Sequence, residues 1–148
     1  MPTLFTRIID GEIPGRFVWA DDRAVVLLTI APITDGHALV IPRDEVEQLT
    51  DAPDDLLAHL TSVAAAVGRA QRAAWDAPRA ALLVAGFEIP HLHLHVLPAW
   101  DESSLSFANA RTDVPAADLD AAAERLREAL RAAGHGDHVP ADVTSPAL

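Results

Sequence analysis

The chain has 148 residues, half of them hydrophobic, which suits one domain built around a single core. Its 22 acidic residues outnumber its 11 basic ones, all of them Arg, for a net charge of −11; so acidic a surface excludes a typical nucleic-acid binder, because duplex affinity comes mostly from neutralising phosphates. The lack of cysteine excludes disulfides, thiol catalysis and cysteine-based zinc sites.

The N-terminal stretch is interrupted by Arg7, Asp10 and Glu12 and holds no signal-peptide core. The longest apolar runs, such as AALLVAGF, are too short to span a bilayer, so the expectation is a soluble cytoplasmic protein with no membrane partner. Residues 3–10 place Leu4, Phe5, Ile8 and Ile9 at helical spacing, with Gly11 as the stop. Residues 17–20 and 24–30 read as strands joined by a turn at Asp21-Asp22. A loop over 32–36 leads into a third strand over 37–41, ended by Pro42. Asp51 reads as an N-cap for a long helix, Asp54 to Trp75, whose inward stripe is Leu56, Leu60, Val63, Val67, Ala70 and Ala74. Residues 80–86 and 91–97 are two further strands, and residues 101–112 are polar and irregular. A second main helix runs over 113–133 with Leu119, Ala122, Leu126 and Leu130 on one face, and Gly134 ends it. The domain therefore spans 1–134, and residues 135–148, without periodicity, are expected to be a mobile tail. Five strands and two main helices predict an α+β fold with an antiparallel sheet.

The chemistry concentrates in HLHLHVL, where His91, His93 and His95 alternate with Leu92, Leu94 and Val96. Successive strand side chains point to opposite faces, so the apolar residues enter the core and the three imidazoles share the other face. A metal explains two of them but not easily the third. Neighbouring histidines stand about 7 Å apart at Cα and the outer pair about 13 Å, whereas zinc holds each nitrogen at about 2.0–2.1 Å. An HxH pair would need a further ligand, for which His37 is the best candidate. Nucleophilic attack on phosphorus uses all three. A neutral imidazole attacks, its second nitrogen donates to a fixed acceptor, and its flanking partners hold phosphate oxygens or the leaving group's proton.

HLHLHVL resembles a complete histidine triad, His-φ-His-φ-His-φ-φ with φ apolar, and the chain is similar to members of the histidine triad (HIT) superfamily of nucleotide hydrolases and transferases. LFTRIIDGEIPGRFVWADD is similar to the family's opening segment, and GHALVIPR to its following strand; in matching order the likeness runs from Leu4 to Pro98. The resemblance implies a five-stranded antiparallel sheet, a homodimer formed through the long helix and a sheet edge, and no metal or other cofactor. It implies that His93 attacks the α-phosphorus of an AMP-type nucleotide conjugate, that His91 and His95 bond the phosphate or orient the ring, and that water completes the hydrolysis. Phe5, Ile8, Leu27 and Ile30 fall where the family has its apolar base pocket; ordinary core is the competing reading for all four.

Several positions depart from the pattern. Thr29 stands where many members hold the ribose hydroxyls with a carboxylate, and Phe87 and Glu88 stand where many have Gln and Ser or Thr. No Asn lies between Ala80 and His91. Some bacterial members bind a structural zinc through two N-terminal cysteines and a later histidine; the matching residues here are Thr3, Thr6 and Glu45. Glu88 can turn away and pair with an Arg, can be protonated and act as the acid, or can repel the substrate. The reading is a nucleoside phosphoramidase-like hydrolase, with a dinucleoside polyphosphate hydrolase, a nucleotide-binding module with little catalysis and an HxH metal protein as alternatives. Elsewhere, His37 reads as structural, donating to a backbone carbonyl, and His59 as solvated. His135 and His138 fall in the tail, and Glu124, Arg125, Arg127, Glu128 and Arg131 read as a solvated helix surface with i,i+3 pairs. The small positions of the long helix, Gly68 among them, are read as allowing a second copy to approach.

Overall fold

A computed structural model describes residues 1–148. Helix α1 (Leu4–Ile9) precedes strands β1 (Phe17–Ala20), β2 (Ala24–Leu28) and β3 (Ala38–Pro42). Helix α2 (Asp54–Trp75) leads to β4 (Arg79–Leu83) and β5 (Leu94–Ala99), and helix α3 (Ala116–Leu130) follows two short 3-10 turns. The strands form one sheet in the order β1-β2-β3-β5-β4, with every pairing antiparallel. This is the α+β architecture that the alternation of elements predicts.

The sheet buries its two faces differently. On one face α2 and α3 pack against Val26, Val40, Leu94 and Val96 to make the main core. The inward stripe of α2 recurs every three or four residues as Leu56, Leu60, Val63, Val67 and Ala70, so one helix face is buried along its length. Gly68 belongs to this packing: a Cβ there would lie 3.0 Å from the Ala80 Cβ and 3.6 Å from Val96 Cγ2. Its smallness therefore serves close approach of α2 to its own sheet. On the other face a smaller cluster joins Phe5 of α1 to Phe17, Val25, Leu27, Leu39 and Ile41. A register shift between Phe17 and Trp19 lets Phe17 join that cluster while Val18 and Trp19 both enter the main core.

Five expectations differ locally. Asp51 does not cap α2; it closes a 3-10 turn at Leu49–Asp51, and Pro53 is the N-cap, with Asp54 and Asp55 supplying negative charge in the first turn. The last strand begins at Leu94, so His91 and His93 precede its ladder. Arg127 is buried, because its guanidinium donates to the carbonyls of Phe17 (2.8 Å) and Pro140 (2.7 Å). That buried cation also keeps its i,i+3 pair with Glu124 at 3.1 Å. Segment 135–148, read from sequence as a tail, is tied to β1 and α3 by these bonds and by Phe17 N–H donating to the Val143 carbonyl at 2.7 Å. His138 stacks on Trp19 with ring centroids 4.4 Å apart. His59, expected to be solvated, meets Asp21 Oδ2 at 2.9 Å, where Trp19 Nε1–H also donates.

Candidate active site

The three histidines stand together on the face opposite α2, as the period of two requires. Leu92, Leu94 and Val96 lie in the main core. The rings of His93 and His95 have centroids 5.0 Å apart, and Phe5 meets His91 and His93 edge-on at 5.7 and 5.0 Å.

Hydrogen bonding assigns each ring a tautomer. His91 is fully buried, and its Nε2 lies 2.7 Å from the Pro42 carbonyl, which can only accept; Nε2 therefore carries the proton. Its Nδ1 then accepts from the Thr3 hydroxyl at 2.6 Å. His93 has the opposite arrangement. Its Nδ1–H donates to the His91 carbonyl at 2.7 Å, which leaves the Nε2 lone pair unengaged. Burial holds the His93 ring below the ordinary histidine pKa, against the pull of the His91 carbonyl bond, so the ring is neutral near pH 7. A buried, neutral imidazole with one nitrogen tied and the other open is a nucleophile in its reactive form.

His37 completes the row, although the sequence reading gave it a bond to a backbone carbonyl. Ile33 N–H donates to His37 Nδ1 at 3.1 Å, so the proton must sit on Nε2, and Nε2–H donates to His95 Nδ1 at 2.9 Å. His95 accordingly carries its own proton on Nε2, the nitrogen left over for a ligand. Burial pushes His37 down to about 3 and His95 down to about 4. The only signal for His37 in the sequence was its place at the start of the third strand; the partner lies 58 positions away. Gly36 permits the turn, with φ +83° and a Trp75 ring 2.6 Å from where a Cβ would stand. Phe107, unremarked in the sequence, lies edge-on to His95 at 4.8 Å.

The expected base-pocket residues separate into two groups. Phe5, Ile8 and Leu27 are together beside the triad, where Gly15 leaves room for Ile8. Ile30 is 73% exposed outside that cluster, and Thr29 accepts a bond from Ala31 N–H at 3.2 Å. Phe87 and Glu88 lie in the exposed loop before the triad, and Glu88 has neither hydrogen-bond nor ion-pair partner, so the Arg pairing is not made. Its charge still favours protonation of His93.

The donors present do not suit a metal. His91 has both nitrogens engaged, and no three His, Asp or Glu side chains converge. At the N-terminal position Thr3 and Thr6 offer neutral hydroxyls, and Glu45 accepts from Thr6 Oγ1 at 2.6 Å and Thr3 N–H at 2.8 Å.

Comparison with known proteins agrees with the geometry. The model of the HIT domain family matches residues 10–102. An uncharacterized HIT-like protein of Mycobacterium tuberculosis is 36% identical over 135 residues, covering 88% of this chain and 94% of that one. An adenosine 5'-monophosphoramidase of Saccharomyces cerevisiae is 30% identical over 102 residues, covering 68% of this chain and 65% of that one. The crystal structure of a zinc-bound histidine triad family protein from Mycobacterium smegmatis superposes with a TM-score of 0.77 at 28% identity, over 90% of this chain and 96% of that one. With the triad, its fold and these relatives in agreement, the chain belongs to the HIT family.

Proposed function

We propose that the protein hydrolyses nucleoside phosphoramidates or closely related AMP-type conjugates through a nucleotidyl-histidine intermediate. The observation that carries this is the pair of opposite nitrogens on His93: Nδ1–H bound to the His91 carbonyl and Nε2 open. Nε2 attacks the α-phosphorus, the P–N bond to the amine breaks, and a P–Nε2 bond forms. The amine leaves with a proton from water at the mouth of the site. The ring becomes cationic, and the bond from Nδ1–H to the carbonyl strengthens as it does so, which is stabilisation gained in the transition state. Water then attacks phosphorus, P–Nε2 breaks, AMP departs and His93 is neutral again. His95 Nε2–H, oriented by His37, is the donor to a phosphate oxygen. Phe5, Ile8 and Leu27 form the apolar wall for the base. Glu88 stands at the mouth and acts on the site by its charge.

The similarity to a yeast adenosine 5'-monophosphoramidase supports the substrate class. The deciding experiment is turnover of an adenosine phosphoramidate, with trapping of adenylated His93 by rapid quench and mass spectrometry. Turnover with no adduct on His93 would refute the mechanism. AMP binding without turnover would leave a nucleotide-binding module.

The same reading includes a homodimer. Strand β4 is a free sheet edge with Leu82 exposed on it and Val84 exposed just past its end, and beside it a groove runs along α2 past Thr61, Ala65 and Arg69. An uncovered edge with apolar side chains favours pairing with a second copy. No helix is long and apolar enough to cross a membrane.

A further inference from the structure

We propose that Thr3, Thr6 and Glu45 are positioning residues of the triad, forming a hydrogen-bonded chain from a surface carboxylate to the ring of His91. The chain is continuous. Glu45 Oε1 accepts from Thr6 Oγ1 at 2.6 Å, Thr6 N–H donates to Thr3 Oγ1 at 3.2 Å, and Thr3 Oγ1 donates to His91 Nδ1 at 2.6 Å. Thr3 N–H closes a second link to Glu45 at 2.8 Å. Thr3 also caps α1, since its hydroxyl oxygen accepts from Thr6 N–H at 3.2 Å. One side chain thus fixes both the start of α1 and the first triad ring.

The chain adds a side-chain anchor to a backbone held outside the sheet ladder, where His91 N–H donates to the Ile89 carbonyl at 2.8 Å and Leu92 N–H to the Val46 carbonyl at 2.7 Å. Ladder pairing of β5 begins at Leu94. The His91 carbonyl, which receives Nδ1–H of His93, therefore lies ahead of the sheet's own hydrogen bonds. Residue 91 is anchored by those bonds and also by its ring, gripped at Nε2 by the Pro42 carbonyl and at Nδ1 by Thr3. Loosening the ring removes the side-chain anchor of the carbonyl that orients the nucleophile. The same chain sets α1, whose Phe5 lies against both His91 and His93.

The Thr3 hydroxyl donates to Nδ1 of His91 and the Thr6 hydroxyl to Glu45, so each hydroxyl hydrogen has one acceptor. Bonds from Thr6 and from Thr3 N–H hold the Glu45 carboxyl below its ordinary pKa, so it remains an acceptor. Three side chains thereby tie the start of α1 to the segments after β3 and before β5, at the position where the metal-binding chemistry of cysteine is missing.

The proposal rests on the hydrolase reading for its kinetic arm only. The variants are Thr3→Val, which keeps shape and removes the donor, Thr3→Ser, which restores it, and Glu45→Ala. Each is read by kcat and KM for an adenosine phosphoramidate and by the ¹⁵N shifts of the His91 and His93 ring nitrogens. Thr3→Val is expected to lower kcat about tenfold at nearly constant KM and to move the His91 Nδ1 shift, Thr3→Ser to stay within about twofold of wild type, and Glu45→Ala to fall about threefold. Wild-type ring shifts in Thr3→Val, or equal losses in Thr3→Val and Thr3→Ser, would overturn the proposal. Should Thr3→Val fail to fold, Glu45→Ala reads the chain from its far end, and unchanged His91 shifts there would overturn it. If wild type turns over no phosphoramidate the hydrolase reading fails alone, and the ring shifts still decide the chain.

Discussion

His37 should make the protein acid-sensitive in a range where most carboxylates remain ionised. The ring is buried and doubly bonded: Ile33 N–H occupies Nδ1, and Nε2–H is spent on His95. A proton added to either ring brings two N–H groups face to face or expels Ile33 N–H from its acceptor. Burial, and then the neighbouring His95, push the folded-state pKa of His37 down to about 3, against about 6.5 for a histidine in the unfolded chain. Between those values the unfolded chain binds the extra proton and the folded one does not. Stability is therefore complete above about pH 6.5 and falls as the pH is lowered, by about 1.4 kcal/mol per unit for one such group. Acidification to about pH 5 should cost about 2 kcal/mol from His37 alone. His95, pushed down to about 4, acts in the same direction, although its partial exposure lets solvent soften the effect. The measurement is urea unfolding followed by fluorescence of the three tryptophans. Wild type should lose about 1 M in midpoint between about pH 7 and about pH 5, and His37→Gln, which cannot take up a proton, should lose about half as much or less. Equal midpoint losses in the two proteins would refute the reasoning.

Four further outcomes are expected. His93→Ala should lose phosphoramidate turnover by at least about a thousandfold while AMP affinity stays within about threefold, because its bond forms only during reaction; retained activity in the assay would remove the nucleophile from the mechanism. Glu88→Gln should bind AMP up to about fivefold more tightly and turn over at least as fast, since an unpaired carboxylate in water repels a phosphate by about 1 kcal/mol. A loss of rate with a lost basic limb in its pH profile would instead make Glu88 the acid. Prolonged treatment with a chelator should change neither activity nor Tm, because the donors present do not form a closed site; stoichiometric zinc surviving dialysis would contradict this. Light scattering at micromolar concentration should give the mass of two chains, and a monomer would contradict the use assigned to the β4 edge.

Much of this protein is written in short-range pattern. The period of two in HLHLHVL placed the imidazoles on one face and the leucines on the other, because strand geometry leaves a side chain only two directions. The period of 3.6 in Leu56, Leu60, Val63 and Val67 likewise marked the face of α2 that meets the sheet. Both features depend only on neighbours along the chain. The same pattern extended the last strand back to residue 91, and only the tertiary structure showed that the ladder starts at Leu94, because ahead of it the Pro42 carbonyl is taken by the His91 ring and Leu92 N–H by the Val46 carbonyl. Three assignments needed partners far away in sequence. His37 became the orienting partner of His95, Arg127 became a buried anchor for Phe17 and Pro140, and Glu45 came to the start of α1. A charged or polar residue carries no local mark of burial; desolvation is offset by whichever acceptor the fold delivers. The tautomers of the triad follow the same rule. Each ring is one chemical group in the sequence, and Pro42, His91 and His37, brought up by folding, decide which nitrogen of which ring holds the proton and which is left to react.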